Sequence, residues 1–188
     1  LAIDGDYVKR EQLAIPAERF RPHDLATPLD LGRKFDLVQT LEVAEHLPGE
    51  KADLFVDNLV RHGDVILFSA AVPHQGGEHH VNEQPPEYWR QRFAKRGYAV
   101  FDFVRPALAG KSHVKPWYRF NSYVYANAEG QKRLSQAVLA TRVPDDRQLE
   151  IGGDLSWAVR RAAVRLIPKP LVKPVAMAKA SLEARLKK

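Results

Sequence analysis

The sequence predicts an α/β protein: a doubly wound, mostly parallel sheet with an antiparallel strand pair at one edge. Three observations predict it. Short apolar runs alternate with amphipathic segments between Leu1 and Ala128, as strands joined by crossover helices do. The clearest runs, Phe35–Leu41 and Asp64–Val72, carry few charges, which suits strands buried on both faces. The last two runs, Tyr98–Val104 and Asn121–Ala128, have no helical pattern between them, so they pair antiparallel.

The elements follow in order. Leu1–Asp4 reads as the end of a strand turning at Gly5, and Tyr7–Leu13 as a short helix stopped by Pro16. Phe20–Leu25 is a second short strand and Pro28–Lys34 a loop. After the strand Phe35–Leu41, residues 50–61 place Leu54, Phe55 and Leu59 at helical spacing. Gly63 stands at the position of a C-terminal helix glycine. Asp64–Val72 is too β-branched to prefer a helix. Pro85-Pro86 opens a helix, where a missing N–H costs nothing, with Trp89 and Phe93 on one face and Gly97 closing it. The stretch carrying Trp117 and Tyr118 is expected to be irregular. Leu155–Ile167 repeats helically, with Leu155, Val159 and Leu166 expected to pack on the domain and Arg160, Arg161 and Arg165 opposite. Val175–Lys187 is a second short helix candidate. Residues 1–130 are expected to form the main domain and 131–188 a basic helical extension.

The net charge of +6 is unevenly spread. Residues 1–130 hold 16 Lys+Arg and 18 Asp+Glu, residues 131–154 four of each, and residues 155–188 nine against Glu183 alone. The main domain is therefore not a basic surface for nucleic acid. The basicity belongs to the tail; no nucleic-acid partner is expected, and a basic helix can rest on an anionic membrane or cover a partner. Cysteine is absent, which excludes disulfides and thiolate metal sites and suits a reducing cytoplasm. No apolar run approaches the roughly 18 residues of a membrane span. The chain opens without methionine, on what reads as a strand end; the fold is expected to begin earlier.

Phe35–Leu47 reads FDLVQTLEVAEHL. This resembles the fourth-strand segment of Rossmann-like S-adenosylmethionine-dependent methyltransferases, where a Phe-Asp strand runs into a Glu-His turn. LAIDGDYV resembles that family's second strand, Arg21–Leu25 the end of its third, and VILFSAAVP its fifth. The resemblance spans residues 1–128. It departs in one respect: the family's glycine-rich loop after a first strand is absent, and with it the close backbone approach to the cofactor. The resemblance implies S-adenosylmethionine as cofactor and methyl transfer to a small molecule, with a hydroxyl of a sugar or polysaccharide precursor as candidate acceptor. A non-catalytic module of the same fold, acting through its basic tail, is the alternative.

In doubly wound sheets ligands bind at the carboxyl ends of strands. The resemblance assigns Asp4 to the ribose hydroxyls, Asp24 and the Leu25 N–H to adenine, Tyr7 to the adenine ring, and Leu41 and Glu42 to the methionine end. Read locally, Asp4 equally forms a turn before Gly5, Asp24 caps a turn, and Tyr7 packs in the core. Glu45 can serve as a helix N-terminal charge and His46 can orient a loop. Pro73–Gln84 follows the strongest strand with three histidines and two glutamates around Gly76-Gly77. A hydroxyl acceptor needs a base, and His is the usual one, so His79 or His80 is the candidate, helped by Asn82 and Glu83. Those histidines can equally cap the next helix. A metal held by His74, His79, His80 and Glu83 matches no defined spacing, and none is expected. Trp117 and Tyr118 are candidate walls of a substrate pocket, or core.

Overall fold

A computed structural model describes residues 1–168 together with Leu171, Pro174, Met177 and Ala178. Most of the second helix expected at 175–187 lies outside the described residues. The fold is α/β, with two sheets. In the first, β1 (Ala2–Asp4) and β2 (Phe20–Pro22) run parallel. The second holds β3 (Val38–Leu41), β4 (Val65–Ser69), β5 (Ala99–Phe101) and β6 (Tyr123–Ala126) in the order β3-β4-β6-β5. Only β3 and β4 are parallel there; β6 runs antiparallel to both β4 and β5. The expected antiparallel pair exists, but β6 is internal and β5 forms the edge, so this sheet is mixed rather than mostly parallel.

The four-stranded sheet is covered on both faces. Strand side chains alternate faces with a period of two. Ile66, Phe68, Tyr123, Tyr125 and Val100 point to one side and pack against Phe55, Val56 and Leu59 of α1 (Ala52–His62) and Trp89 and Phe93 of α2 (Pro86–Ala94). Phe93 stacks on Tyr125, centroids 4.0 Å apart, and Phe68 meets Trp89, Phe93 and Tyr125. Val65, Phe101, Val124 and Ala126 point the other way, joined by Val104 of α3 (Val104–Leu108). The stretch expected to be irregular contains a short helix, α4 (Pro116–Asn121), opened by its proline. After α5 (Ala128–Gln131), α6 (Gln136–Leu139) adds Val138 and Leu139 to the second face. Val143 and Leu149 enter the larger core, so residues 131–154 pack into the body.

Other local expectations shift. The helix expected at Tyr7–Leu13 is a single 3-10 turn, Arg10–Gln12. Gly97 does close α2 in the left-handed region, at φ 77°. Gly63 is extended instead; its missing Cβ makes room for Val38, whose strand it borders through the Phe35 bridge.

The last described helix, α7 (Leu155–Arg165), reverses the expected orientation. Leu155, Val159 and Leu166 face solvent at 80%, 60% and 84% exposure, while Trp157 is buried against Val72 and Phe120. Arg160 and Arg161 turn toward the body, while Arg165 stays exposed: Arg161 Nε donates to the Pro73 carbonyl and Arg160 to that of Gln75. Loop carbonyls that leave water need donors, and the guanidinium groups of α7 supply them. No helix among the described residues is long and apolar enough to cross a membrane.

Candidate functional site

The carboxyl ends of β1, β2 and β3 open on one cleft of about 1160 Å³. Asp4, Tyr7, Asp24, Leu25 and Glu42 all line it, with His46 and His79 at its far wall. The residues nominated for the cofactor are thus brought together, Leu41 excepted, whereas His80, Asn82, Glu83, Trp117 and Tyr118 do not line this cleft. Leu41 instead lines an apolar channel of about 430 Å³ between the edge strands β1 and β3, with Ile3, Leu25 and Val38.

Each acid is held locally. Asp4 Oδ1 accepts from the Gly5 N–H and from the Tyr7 hydroxyl, both at 2.7 Å, so Tyr7 bends back over the strand end while staying exposed. Hydrogen bonding to Asp4 is the main cause that raises the Tyr7 phenol, ahead of burial. Asp24 Oδ1 accepts from the Ala26 N–H at 2.9 Å, forming the turn cap that its local sequence allows. Glu42 has a positive φ of 56° and both carboxylate oxygens engaged. Ser69 Oγ donates to Oε1 at 2.8 Å and Gln75 Nε2 to Oε2 at 2.6 Å, while Asn121 donates to Gln75. Ser69, Gln75 and Asn121 are buried. This network orders the end of β3 against β4, and sequence reasoning missed Ser69 and Gln75. Buried polar partners 27 and 33 residues along the chain from Glu42 leave no local pattern; the signal was a serine within an apolar run.

The Pro73–Gln84 loop is tied by Glu83. Its Oε1 accepts from the Gly76 N–H and from His80 Nδ1, and its Oε2 from the His74 N–H, each at 2.9 Å. Burial alone would raise this carboxyl, but the bonds from His80, Gly76 and His74 outweigh it and hold it below the usual range. Glu83 therefore acts as the loop's clasp, with both oxygens engaged. Asn82 is buried beneath the loop, its amide oxygen accepting from Gln84. Trp117 packs with Val72, Phe120 and Trp157, and its ring meets that of Tyr118. Neither Asn82, Trp117 nor Tyr118 is among the residues lining the cleft.

His79, at φ 57°, is exposed and sits on the border of two spaces. It lines the Asp4 cleft and also a second cleft of about 620 Å³ between this loop and Val164, Arg165 and Ile167. His80 points inward. Its Nε2 lies 3.9 Å from Glu45 Oε1, and its ring meets His46 edge-on at 5.0 Å. Glu45 lies in a 3-10 turn, Ala44–His46, so it is not the helix-terminal charge that its sequence permits. Its side chain is fully buried, and neither carboxylate oxygen has a hydrogen-bond partner. Burial first, and Glu42 second, push its carboxyl up to about 8. Burial and the facing His80 lower the His46 imidazole.

No protein-family model matches this chain, and neither a curated protein nor a solved structure matches it.

Proposed function

We propose that this chain is a Rossmann-like S-adenosylmethionine-dependent methyltransferase acting on a small-molecule hydroxyl, a sugar or polysaccharide precursor being the candidate. The observation that carries the reading is the cleft that Asp4, Asp24 and Glu42 line together at the carboxyl ends of β1, β2 and β3, the kind of place where open α/β sheets take ligands. Its size suits a nucleoside-bearing ligand. Asp4 commits one oxygen to Gly5 and Tyr7, leaving the other for ribose hydroxyls.

Bound in the cleft, S-adenosylmethionine supplies an electrophilic methyl group on a sulfonium. The protein's part is to hold the acceptor in line and to take its proton. His79 borders both clefts, so an acceptor in the second cleft meets the first beside this imidazole. His79 would take the hydroxyl proton as the acceptor oxygen received the methyl group, the cofactor's sulfur retaining the bonding pair.

Calorimetry with S-adenosylhomocysteine on the intact natural protein tests this. Asp4→Ala removes hydrogen bonds to a charged group worth ~1.5–3 kcal/mol each, so affinity should fall at least about tenfold. An intact protein that does not bind the compound ends the proposal. His79→Ala should lower turnover by roughly 10²–10⁴ while leaving that affinity unchanged; unaltered turnover removes His79 as base.

A further inference from the structure

The strongest cluster that the methyl-transfer reading leaves unused lies behind the cleft wall. Glu45, His46 and His80 each present a ligand atom, and these three atoms lie within 4.8 Å of one another. We propose that they form a binding site for a divalent transition-metal cation, of the Zn²⁺ or Co²⁺ type.

Four observations carry this. First, Glu45 is 0% exposed and neither carboxylate oxygen has a hydrogen-bond partner, His80 Nε2 standing 3.9 Å from Oε1. A buried carboxylate is costly unless it is paired or coordinates a metal. Second, His80 is oriented as a ligand. A carboxylate can only accept, so His80 Nδ1 donates its proton to Glu83 Oε1 at 2.9 Å, which leaves the lone pair on Nε2, the nitrogen facing Glu45 at 3.9 Å. A carboxylate behind a histidine is the usual outer support of a metal ligand. Third, the spacing is close to what coordination needs. Points no more than 4.8 Å apart all fall within about 2.8 Å of a common centre, against ~2.0–2.2 Å for Zn²⁺ bonds to nitrogen or oxygen. Rotamer adjustments of less than about 1 Å close that gap. Fourth, His46 is exposed and lines the Asp4 cleft, so the cation has a path in and a free coordination position on the ligand side. Two imidazoles and one carboxylate favour Zn²⁺ or Co²⁺ over Mg²⁺, which prefers oxygen donors.

The site stands independently of methyl transfer, and its test reads metal alone. Untagged intact protein, stripped with chelator, is titrated with Co²⁺ and Zn²⁺ by calorimetry and visible absorption. One ion per chain should bind, with the Co²⁺ absorption of a mixed nitrogen and oxygen site. His46→Ala, on an exposed residue, and the isosteric Glu45→Gln should each abolish that spectrum. Glu83→Gln should weaken binding roughly 10–100-fold. His113→Ala, on an exposed histidine elsewhere, should change nothing. Circular dichroism confirms that each variant folds. Failure of the folded parent to bind either ion, or binding that survives both His46→Ala and Glu45→Gln, would leave only a buried Glu45–His80 ion pair and overturn the proposal.

Discussion

Among the described residues, three that are not glycine have positive φ, Glu42, His74 and His79, and each lines one of the two clefts. Such conformations cost on the order of 1–3 kcal/mol and persist only where the surroundings enforce them. At Glu42 the enforcing contacts are Ser69 and Gln75; at His74 it is the bond from its own N–H to Glu83. Glu83→Gln keeps the shape of the clasp but weakens three charge-assisted bonds. It should therefore open the Gly76–His80 segment, read as faster proteolytic nicking there with the global melting curve little changed. An unchanged nicking rate would mean that packing alone holds the loop. Away from the site, Tyr98 is the residue whose titration stability should follow. Its hydroxyl donates to the Gly63 carbonyl at 2.7 Å, and burial, then the nearby Asp64, pushes its phenol up to about 12. A raised folded value means that its stabilisation is complete below the unfolded value of 10.0 and is lost as pH climbs toward 12. Tyr98→Phe should cost about 1 kcal/mol at neutral pH and flatten the loss of stability between these two values. Denaturant unfolding along that alkaline limb checks it; equal slopes in both proteins would contradict it.

Among the elements, what the sequence made legible was what local pattern controls. Alternating apolar runs located all six strands, and the proline pair and Gly97 bracketed α2 correctly. Lengths were overread, because the apolar stretch Asp64–Val72 continues past Ser69 where β4 ends and the chain turns into the loop. The orientation of α7 was misread for a different reason. Helical spacing shows that Leu155, Val159 and Leu166 share a side, but not which side meets the body. The choice falls to Trp157, a single large ring that fills the space beside Val72 and Phe120, and to arginines answering buried loop carbonyls. The residues of the cleft were legible because strand ends converge by topology. The Glu45–His46–His80 cluster was not, because 34 positions separate His80 from His46 and only the fold closes that distance. At the start of α7, Asp154 Oδ1 accepts from the Trp157 N–H at 2.8 Å. Asp154→Ala removes this cap and should cost about 1 kcal/mol, confined to α7. Cleavage near Arg160 and Arg161 by trypsin should then quicken, while cleavage elsewhere is unaffected; an even response along the chain would mean that α7 is not a separable unit.

Taken whole, the molecule has a firmly packed half and a lightly held half. The four-stranded sheet is sandwiched between helices on both faces. The β1–β2 pair is short, and its residues range from half-buried to exposed apart from Phe20. It connects to the rest through a few bonds at the following segment, where Asn58 bridges Leu29 and Thr27 and His62 accepts from the Leu31 N–H. Local opening free energy tracks buried apolar contact, so the two sheets should exchange amide hydrogens on different schedules. Amides of Ile3 and Asp4 should exchange well before those of Ile66 to Phe68. Since Asp4 and Asp24 lie on the lightly held half and Glu42 on the firm half, a ligand spanning the cleft ties the two together. Saturation of the intact natural protein with S-adenosylhomocysteine should slow exchange at Ile3 and Asp4 by a larger factor than at β4. The factor is set by the ligand's excess over its dissociation constant, about 100-fold protection at 100 times that constant. Equal exchange in both sheets without ligand would refute the division into halves. Protection that appears only around β4 would place the ligand elsewhere than the cleft.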